Sequence, residues 1–68
     1  MKPKIIYPNI AAEMARCGMT QLELATRMGI SNSCLHYRLY GKVEFKVDEI
    51  GFLLTIFDKD FNYLFKKI

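Results

Sequence analysis

Residues 20–41 read TQLELATRMGISNSCLHYRLYG, and this stretch decides the fold of the 68-residue chain. It opens on a capping box, because Thr20 is followed three positions later by Glu23 and each side chain can bond the other residue's backbone N–H. The helix that begins there is predicted to run to Gly29, since glycine readily adopts the left-handed conformation that ends a helix.

A second helix is predicted directly after the first. Ser31 is a favourable N-cap and stands only two residues beyond Gly29. Leu35 and Leu39 are four residues apart and form one inward stripe, and Gly41 ends the helix.

The turn between these two helices is centred on Gly29 and Ile30. Ala25 supplies a small side chain where helices at a steep angle would approach most closely. Apolar anchors stand on both sides of the turn, at Leu24, Met28, Ile30 and Leu35. This combination predicts a helix-turn-helix over residues 20–41.

The residues before this unit predict an arm and one more helix. Apolar residues recur at three- and four-residue intervals at Ile10, Ala11, Met14 and Ala15. They indicate an amphipathic helix over residues 9–17, with Asn9 as its N-cap and Gly18 at its end. Residues 1–8 carry two prolines and two lysines, and we expect them to form an extended arm.

The residues after the unit predict two further helices. The first starts at about Val47 and has its apolar positions at Val47, Ile50, Leu53, Leu54 and Phe57. The second is a short helix over residues 61–66 with Asp60 as its cap. No segment alternates with a period of two residues, so the predicted fold is one all-α domain of five helices over residues 1–68.

The net charge of +3 is unevenly distributed along the chain. Up to Lys46 there are seven basic and three acidic residues, for a net charge of +4, and beyond it three basic and four acidic residues give −1. A polyanionic partner is therefore expected on the first two-thirds of the chain.

Composition excludes several classes of protein. Two cysteines are too few for a disulfide framework, and there is no signal-peptide hydrophobic region at the start, so we expect a cytoplasmic protein without a membrane span. Cys17, Cys34 and His36 lack a fourth ligand and the usual spacing for zinc. We expect no metal, no cofactor and no small-molecule ligand.

The quoted stretch resembles the Cro and phage-repressor type of helix-turn-helix regulators, the lambda-repressor-like domain. The similarity lies in residues 19–31, in Arg38-Leu39-Tyr40-Gly41-Lys42, in Asp48-Glu49-Ile50 and in Tyr63-Leu64-Phe65. It implies a five-helix fold, binding to operator DNA as a homodimer, and a third helix that enters the major groove.

With Leu35 and Leu39 turned inward, the outward face of the third helix can be assigned. The predicted base-reading residues are Asn32, Ser33, His36 and Tyr37. An asparagine amide suits adenine, and no arginine points from the first turn at guanine, so we expect a half-site rich in A·T pairs or read through its shape.

Groups around this face are expected to bind phosphates. Gln21 resembles the family glutamine at the start of the second helix, and the predicted phosphate contacts are Gln21, Arg38, Tyr40, Lys42 and Lys46. Lys2 and Lys4 are either a DNA-binding arm or a solvated tail.

Residues 47–68 are expected to carry the dimer interface. Their end is rich in aromatic residues, and the predicted interface residues are Phe57, Phe61, Phe65 and Ile68. The same rings are open to a second interpretation as the lining of a ligand site.

Three function classes follow from these patterns. The first is a sequence-specific, double-stranded DNA-binding transcriptional regulator, a phage or prophage type of repressor that acts by occupying its operator. The second is a protein-interaction module on the same fold that does not read DNA. An enzyme is not expected, because His36 has no nucleophile or orienting carboxylate at recognisable spacing, and Cys34 is interpreted as a half-buried structural residue and not as a redox sensor.

Overall fold

In the computed structural model, which describes residues 4–68, the chain forms five helices and no strand. The helices are Pro8–Arg16 (α1), Gln21–Met28 (α2), Asn32–Leu39 (α3), Val47–Phe57 (α4) and Phe61–Leu64 (α5). The predicted all-α class is confirmed.

Three helix starts are fixed by side-chain caps. Thr20 Oγ1 accepts the Glu23 N–H at 3.1 Å, and Glu23 Oε1 accepts the Thr20 N–H at 3.0 Å, which is the predicted capping box. The Ser31 hydroxyl and the Asp60 carboxylate each accept a backbone N–H three residues further on. Each of these short-range bonds supplies an acceptor for a backbone N–H group that has no partner within its helix.

The turn between α2 and α3 depends on one glycine. Gly29 has φ +73°, in the left-handed region, and its N–H and that of Ile30 donate back into the last turn of α2. Ala25 is 1% exposed, so the two helices approach closely over it. The helix that carries the polar residues 32, 33, 36 and 37 is therefore held against α2.

One core supports all five helices. Its fully buried side chains are Ile10, Leu24, Leu35, Leu39, Leu53 and Leu64, from every helix in turn. Leu35 and Leu39 face inward, as predicted, so the opposite side of α3 faces solvent. Helix α1 packs on α5, and α5 packs on α4.

The N-terminal segment differs from the prediction. Pro8 is already helical, and Tyr7 is the N-cap without a side-chain bond, because the fixed φ of proline suits the first helical turn. Asn9 does not cap α1, since its Nδ2 donates to the Tyr63 carbonyl at 2.8 Å.

The expected arm over residues 1–8 is docked in its second half. The Ile6 N–H donates to the Leu39 carbonyl at 2.9 Å, and the Ile68 N–H donates to the Ile6 carbonyl at 3.1 Å. Ile5 and Ile6 also pack on the core. Lys4 is exposed, whereas Lys2 lies outside the described residues.

Two expectations for the C-terminal helices are wrong in detail. Val47 is 87% exposed and takes no part in the inner stripe of α4, because it is the first residue of the helix and precedes the turn that packs inward. Helix α5 ends at Leu64 and not at residue 66.

Candidate nucleic-acid interface

The four predicted base-reading residues lie on the outward side of α3. Asn32, Ser33 and Tyr37 are exposed, and His36 is half-buried. Asn32 and Ser33 occupy the first turn, and His36 and Tyr37 follow four residues later on the same face. The structure therefore presents all four side chains beside one another.

Gln21 contacts this face directly. Its Nε2 donates to Asn32 Oδ1 at 2.9 Å and is 3.3 Å from the Asn32 carbonyl oxygen. The bond joins the first residue of α2 to the first residue of α3 and orients the Asn32 amide. With its oxygen facing Gln21, the Asn32 side chain turns its amide N–H donors away from that bond, and such donors are the kind of group that can bond adenine N7.

An aromatic cluster covers the second half of the face. His36 stacks on Tyr40 with ring centroids 4.2 Å apart, and Tyr37 lies edge-on to His36 at 6.0 Å. Lys42 Nζ stands 5.7 Å from the centre of the Tyr37 ring, within the range of a cation–π contact. These contacts restrict the Tyr37 ring at the surface.

Arg38 does not fit the predicted phosphate contact. Its side chain is 10% exposed and donates from Nε to Glu49 Oε1 at 2.8 Å and from Nη1 to the Cys34 carbonyl at 3.2 Å. Position 38 faces α4, and because a buried guanidinium is stable only when it is paired, it bonds to Glu49 there. The sequence does place an acid, Glu49, in the first turn of α4, but the helix dipole favours an acid there in any case, so its position alone does not indicate Arg38 as its partner.

Lys42 and Lys46 are both exposed in the loop after α3. The N–H groups of Lys42 and Val43 donate to the Tyr37 carbonyl at 2.9 and 3.3 Å, which folds the loop back onto the end of α3. Gly41 has φ +82° in this turn. Two ammonium groups are thereby placed on the loop that follows α3.

The predicted dimer residues divide into two groups. Phe57 is 6% exposed and belongs to the core, so its assignment to an interface is wrong, since the end of α4 packs inward. Phe61 is 51% exposed and Ile68 is 73% exposed. Phe65 is half-buried and stacks on Phe61 with centroids 5.2 Å apart.

A shallow groove of about 190 Å³ adjoins these exposed rings. Its lining comes from the N-terminal segment, the loop before α4, α4 itself and the C-terminal region, namely Tyr7, Glu44, Phe45, Ile50, Phe61, Phe65 and Lys67. One exposed apolar surface therefore lies at α5 and the start of α4, whereas Phe57 at the end of α4 is buried.

Cys34 is half-buried in α3, as expected, and its surroundings shift the pKa of its thiol. A hydrogen bond from the Ser31 side chain, followed by the hydrogen bond and charge of Arg38, lowers the pKa of the Cys34 thiol, although burial opposes the shift. Cys17 is exposed, and within residues 4–68 no three of His, Cys, Asp and Glu are grouped as metal ligands.

Comparison with family models, curated proteins and solved structures found no match to this chain. In the part of the chain that the structure describes, no helix is long and apolar enough to cross a lipid bilayer.

Proposed function

We propose that this chain is a cytoplasmic, sequence-specific regulator of transcription that binds double-stranded operator DNA through a helix-turn-helix formed by α2 and α3. The observation that carries the proposal is the outward face of α3, on which Asn32 is oriented by Gln21 and the exposed Lys42 and Lys46 follow in the adjoining loop. Polar readers flanked by cations are what a DNA groove and its phosphates require.

The capped ends of both helices support this proposal. Gly29 turns the chain within three residues, and Leu35 and Leu39 anchor α3 so that its opposite face is free of the core. The N-terminal residues of α3 then lead into the groove, where Asn32 and Ser33 contact base edges and Tyr37 contacts a base or a thymine methyl group.

Phosphate contacts are assigned to fewer groups than the sequence indicated. Lys42 and Lys46 remain as exposed cations, and the start of α2 offers backbone N–H groups beside Gln21. Tyr40, whose ring stacks on His36, is assigned a phosphate contact through its hydroxyl group. Repression follows from steric occupancy of an operator that overlaps a promoter.

The proposal includes a homodimer through α5 and the first half of α4. Phe61 and Ile68 are exposed apolar residues in this region, and the adjoining groove carries Glu44 and Lys67, which are opposite in charge. In a twofold interface each acid can face the partner's lysine. For both α3 helices to enter successive major grooves, the dimer has to hold them about 34 Å apart.

Sedimentation velocity over a concentration series tests the dimer. Phe61→Glu places a charge in the interface and is expected to shift the protein to monomers. Leu22→Glu is the matched control, because Leu22 is also exposed but lies on α2. A wild-type chain that stays monomeric with and without DNA contradicts the dimer.

Selection from a random-sequence DNA library tests the function itself. The wild-type chain is expected to enrich one motif, and Asn32→Ala is expected to weaken binding to it by about 5- to 150-fold, comparable to one mismatched base pair. Thr55→Ala removes an exposed polar group from α4 and is expected to leave the affinity unchanged. Failure to enrich any motif contradicts the proposal.

A protein-interaction module is the second candidate function. It is favoured by a separate open groove of about 430 Å³ on α2 and α4, lined by Arg27, Phe52, Thr55 and Ile56. The two candidates differ in a gel-shift titration with random duplex DNA at low and moderate salt. A module that does not read DNA leaves the duplex unshifted at both salt concentrations.

A further inference from the structure

One salt bridge joins the helix that we propose reads DNA to the next helix of the fold. Arg38 lies in the last turn of α3 and Glu49 in the first turn of α4, and both side chains are buried. The remaining salt bridge among residues 4–68, Arg16–Glu13, lies within α1. The proposed contacts to bases and phosphates make no use of the Arg38–Glu49 pair.

Stability alone is a weak reason for such a pair. Removing two charges from water costs free energy that their mutual attraction recovers only with good geometry, and well-packed apolar residues of similar volume often serve as well or better. Hydrogen bonds between charged groups differ from apolar contacts in being directional. The pair therefore supplies a geometric constraint that leucines at the same positions would not.

The constraint acts on three segments together. Glu49 Oε1 accepts from Arg38 Nε at 2.8 Å and from the Lys46 N–H at 2.9 Å, so one oxygen binds both α3 and the residue before α4. Arg38 Nη1 also donates to the Cys34 carbonyl at 3.2 Å, which fixes the guanidinium plane against its own helix. The positions of α3, α4 and Lys46 are thus linked.

Other contacts also hold α3, but its two hydrogen bonds to neighbouring segments do not involve α4. Gln21 Nε2 donates to Asn32 at the start of α3, and the Ile6 N–H donates to the Leu39 carbonyl at its end. The inward side chains, Leu35 and Leu39, are held by apolar packing, which is non-directional. The Arg38–Glu49 pair is therefore the directional contact that fixes the last turn of α3 relative to α4, and its loss would let the outward face of α3 turn relative to Lys46.

We propose that Arg38 and Glu49 are positioning residues for DNA recognition: they set the rotation of α3 and the place of Lys46 so that base-reading and phosphate-binding groups engage one duplex together. This inference rests on the proposed function. It assigns no DNA contact to either residue.

Two double variants separate geometry from charge. In R38Q/E49Q the glutamine Nε2 at position 38 takes the place of Arg38 Nε, and the amide oxygen at position 49 can still accept both it and the Lys46 N–H. The bonds that join α3, α4 and Lys46 are thus kept without charge, and only the bond to the Cys34 carbonyl is lost. In R38M/E49L the volume is kept but every directional bond is lost. The probe is the duplex that the wild-type chain selects from a random library, and affinity is measured where circular dichroism shows each variant folded.

R38Q/E49Q is expected to bind the selected duplex within about twofold of the wild-type affinity, whereas R38M/E49L is expected to lose about tenfold, comparable to one mismatched base pair. We also expect R38M/E49L to bind random duplex as the wild type does, so that its ratio of specific to random binding falls. Equal affinity and equal ratio for both folded variants overturn the inference.

E13Q is the matched control for a purely structural role. Glu13 is a buried acid that binds Tyr63 and Arg16, away from α3. Folded E13Q is expected to retain wild-type affinity, and a tenfold loss in E13Q as well shows that lost stability alone explains the effect. If R38M/E49L does not fold, R38M/E49Q replaces it, since it leaves no buried charge and keeps an acceptor for the Lys46 N–H but removes the bond between α3 and α4, and wild-type affinity for folded R38M/E49Q overturns the inference.

A wild-type chain that selects no DNA refutes the proposed function, and the positioning role of Arg38 and Glu49 in DNA recognition falls with it. A wild-type chain that selects DNA while the variants behave identically refutes the inference alone.

Discussion

Replacing Lys42 or Lys46 by alanine should make DNA binding less sensitive to salt, whereas removing the Arg38–Glu49 pair should not. Lys42 and Lys46 are exposed beside α3, and Arg38 is buried and bonded to Glu49. Each phosphate that a cation neutralises adds about 0.9 to the slope of log affinity against log salt. The slope therefore reports which cations touch DNA, independently of how much affinity each variant loses.

The expected magnitudes follow from two lysines in each protomer of a dimer. Four such contacts give a slope of about −3.6, so that affinity falls about 150-fold between 50 and 200 mM salt. Lys42→Ala or Lys46→Ala removes two contacts per dimer and changes the slope from about −3.6 to about −1.8. The loss of affinity between 50 and 200 mM salt is then about twelvefold smaller than in the wild type.

Fluorescence anisotropy with a labelled duplex measures these slopes in a potassium chloride series. Lys59→Ala is the control, since Lys59 lies beyond the C-terminal end of α4 whereas Lys46 immediately precedes its start. R38M/E49L changes no net charge and is expected to retain the wild-type slope while binding more weakly. The reasoning is refuted if Lys42→Ala and Lys46→Ala leave the slope unchanged, or if Lys59→Ala lowers it equally.

Three further outcomes are expected from the fold and from two perturbed groups. Gly51→Ala should stabilise the protein by about 1 kcal/mol and raise Tm by about 4–8 °C, because Gly51 is helical and a Cβ there meets no atom. Gly29→Ala should lower Tm, because Gly29 has φ +73°. Thermal denaturation in which the Tm values of the two variants move in the same direction contradicts this reasoning. The hydrogen bond from the Tyr63 hydroxyl to the buried Glu13 carboxylate raises the pKa of Tyr63. This bond stabilises the folded chain fully below the phenol pKa of the unfolded chain, about 10, and the stabilisation is lost as pH rises through the higher pKa of the folded chain. Urea titrations should therefore show a steeper alkaline loss in the wild type than in Tyr63→Phe, and parallel curves argue against the coupling. Ser31→Ala should raise the pKa of the Cys34 thiol and move the pH dependence of its alkylation upward in a chain whose other cysteine is serine, and an unmoved profile excludes Ser31 as the cause.

Features that depend on neighbouring residues in the chain were predictable. The capping box at Thr20, the cap at Ser31 and the left-handed Gly29 each involve residues within a few positions of one another, and the structure contains all three. The inward stripe of Leu35 and Leu39 follows from helical periodicity alone. Together these assigned the outward face of α3 correctly, so the predicted readers stand side by side.

Features that depend on another helix were not predictable in the same way. Basic character favoured a phosphate contact for Arg38, but position 38 faces α4, and only the packing of α3 beside α4 brings Glu49 within 2.8 Å. Phe57 and Phe61 are both phenylalanines near the end of the chain, and packing buries the first and exposes the second.

The sequence by itself determined where α2, α3 and α5 start, where α2 turns into α3, and which side of α3 faces solvent, because hydrogen-bond capping and a 3.6-residue period are local properties. Tertiary structure alone decided that Gln21 binds Asn32, that Ile6 docks on the end of α3, and that Arg38 joins two helices. Those pairs are 11 or more residues apart, and a side chain's partner at such separations is set by how the helices pack around the shared core.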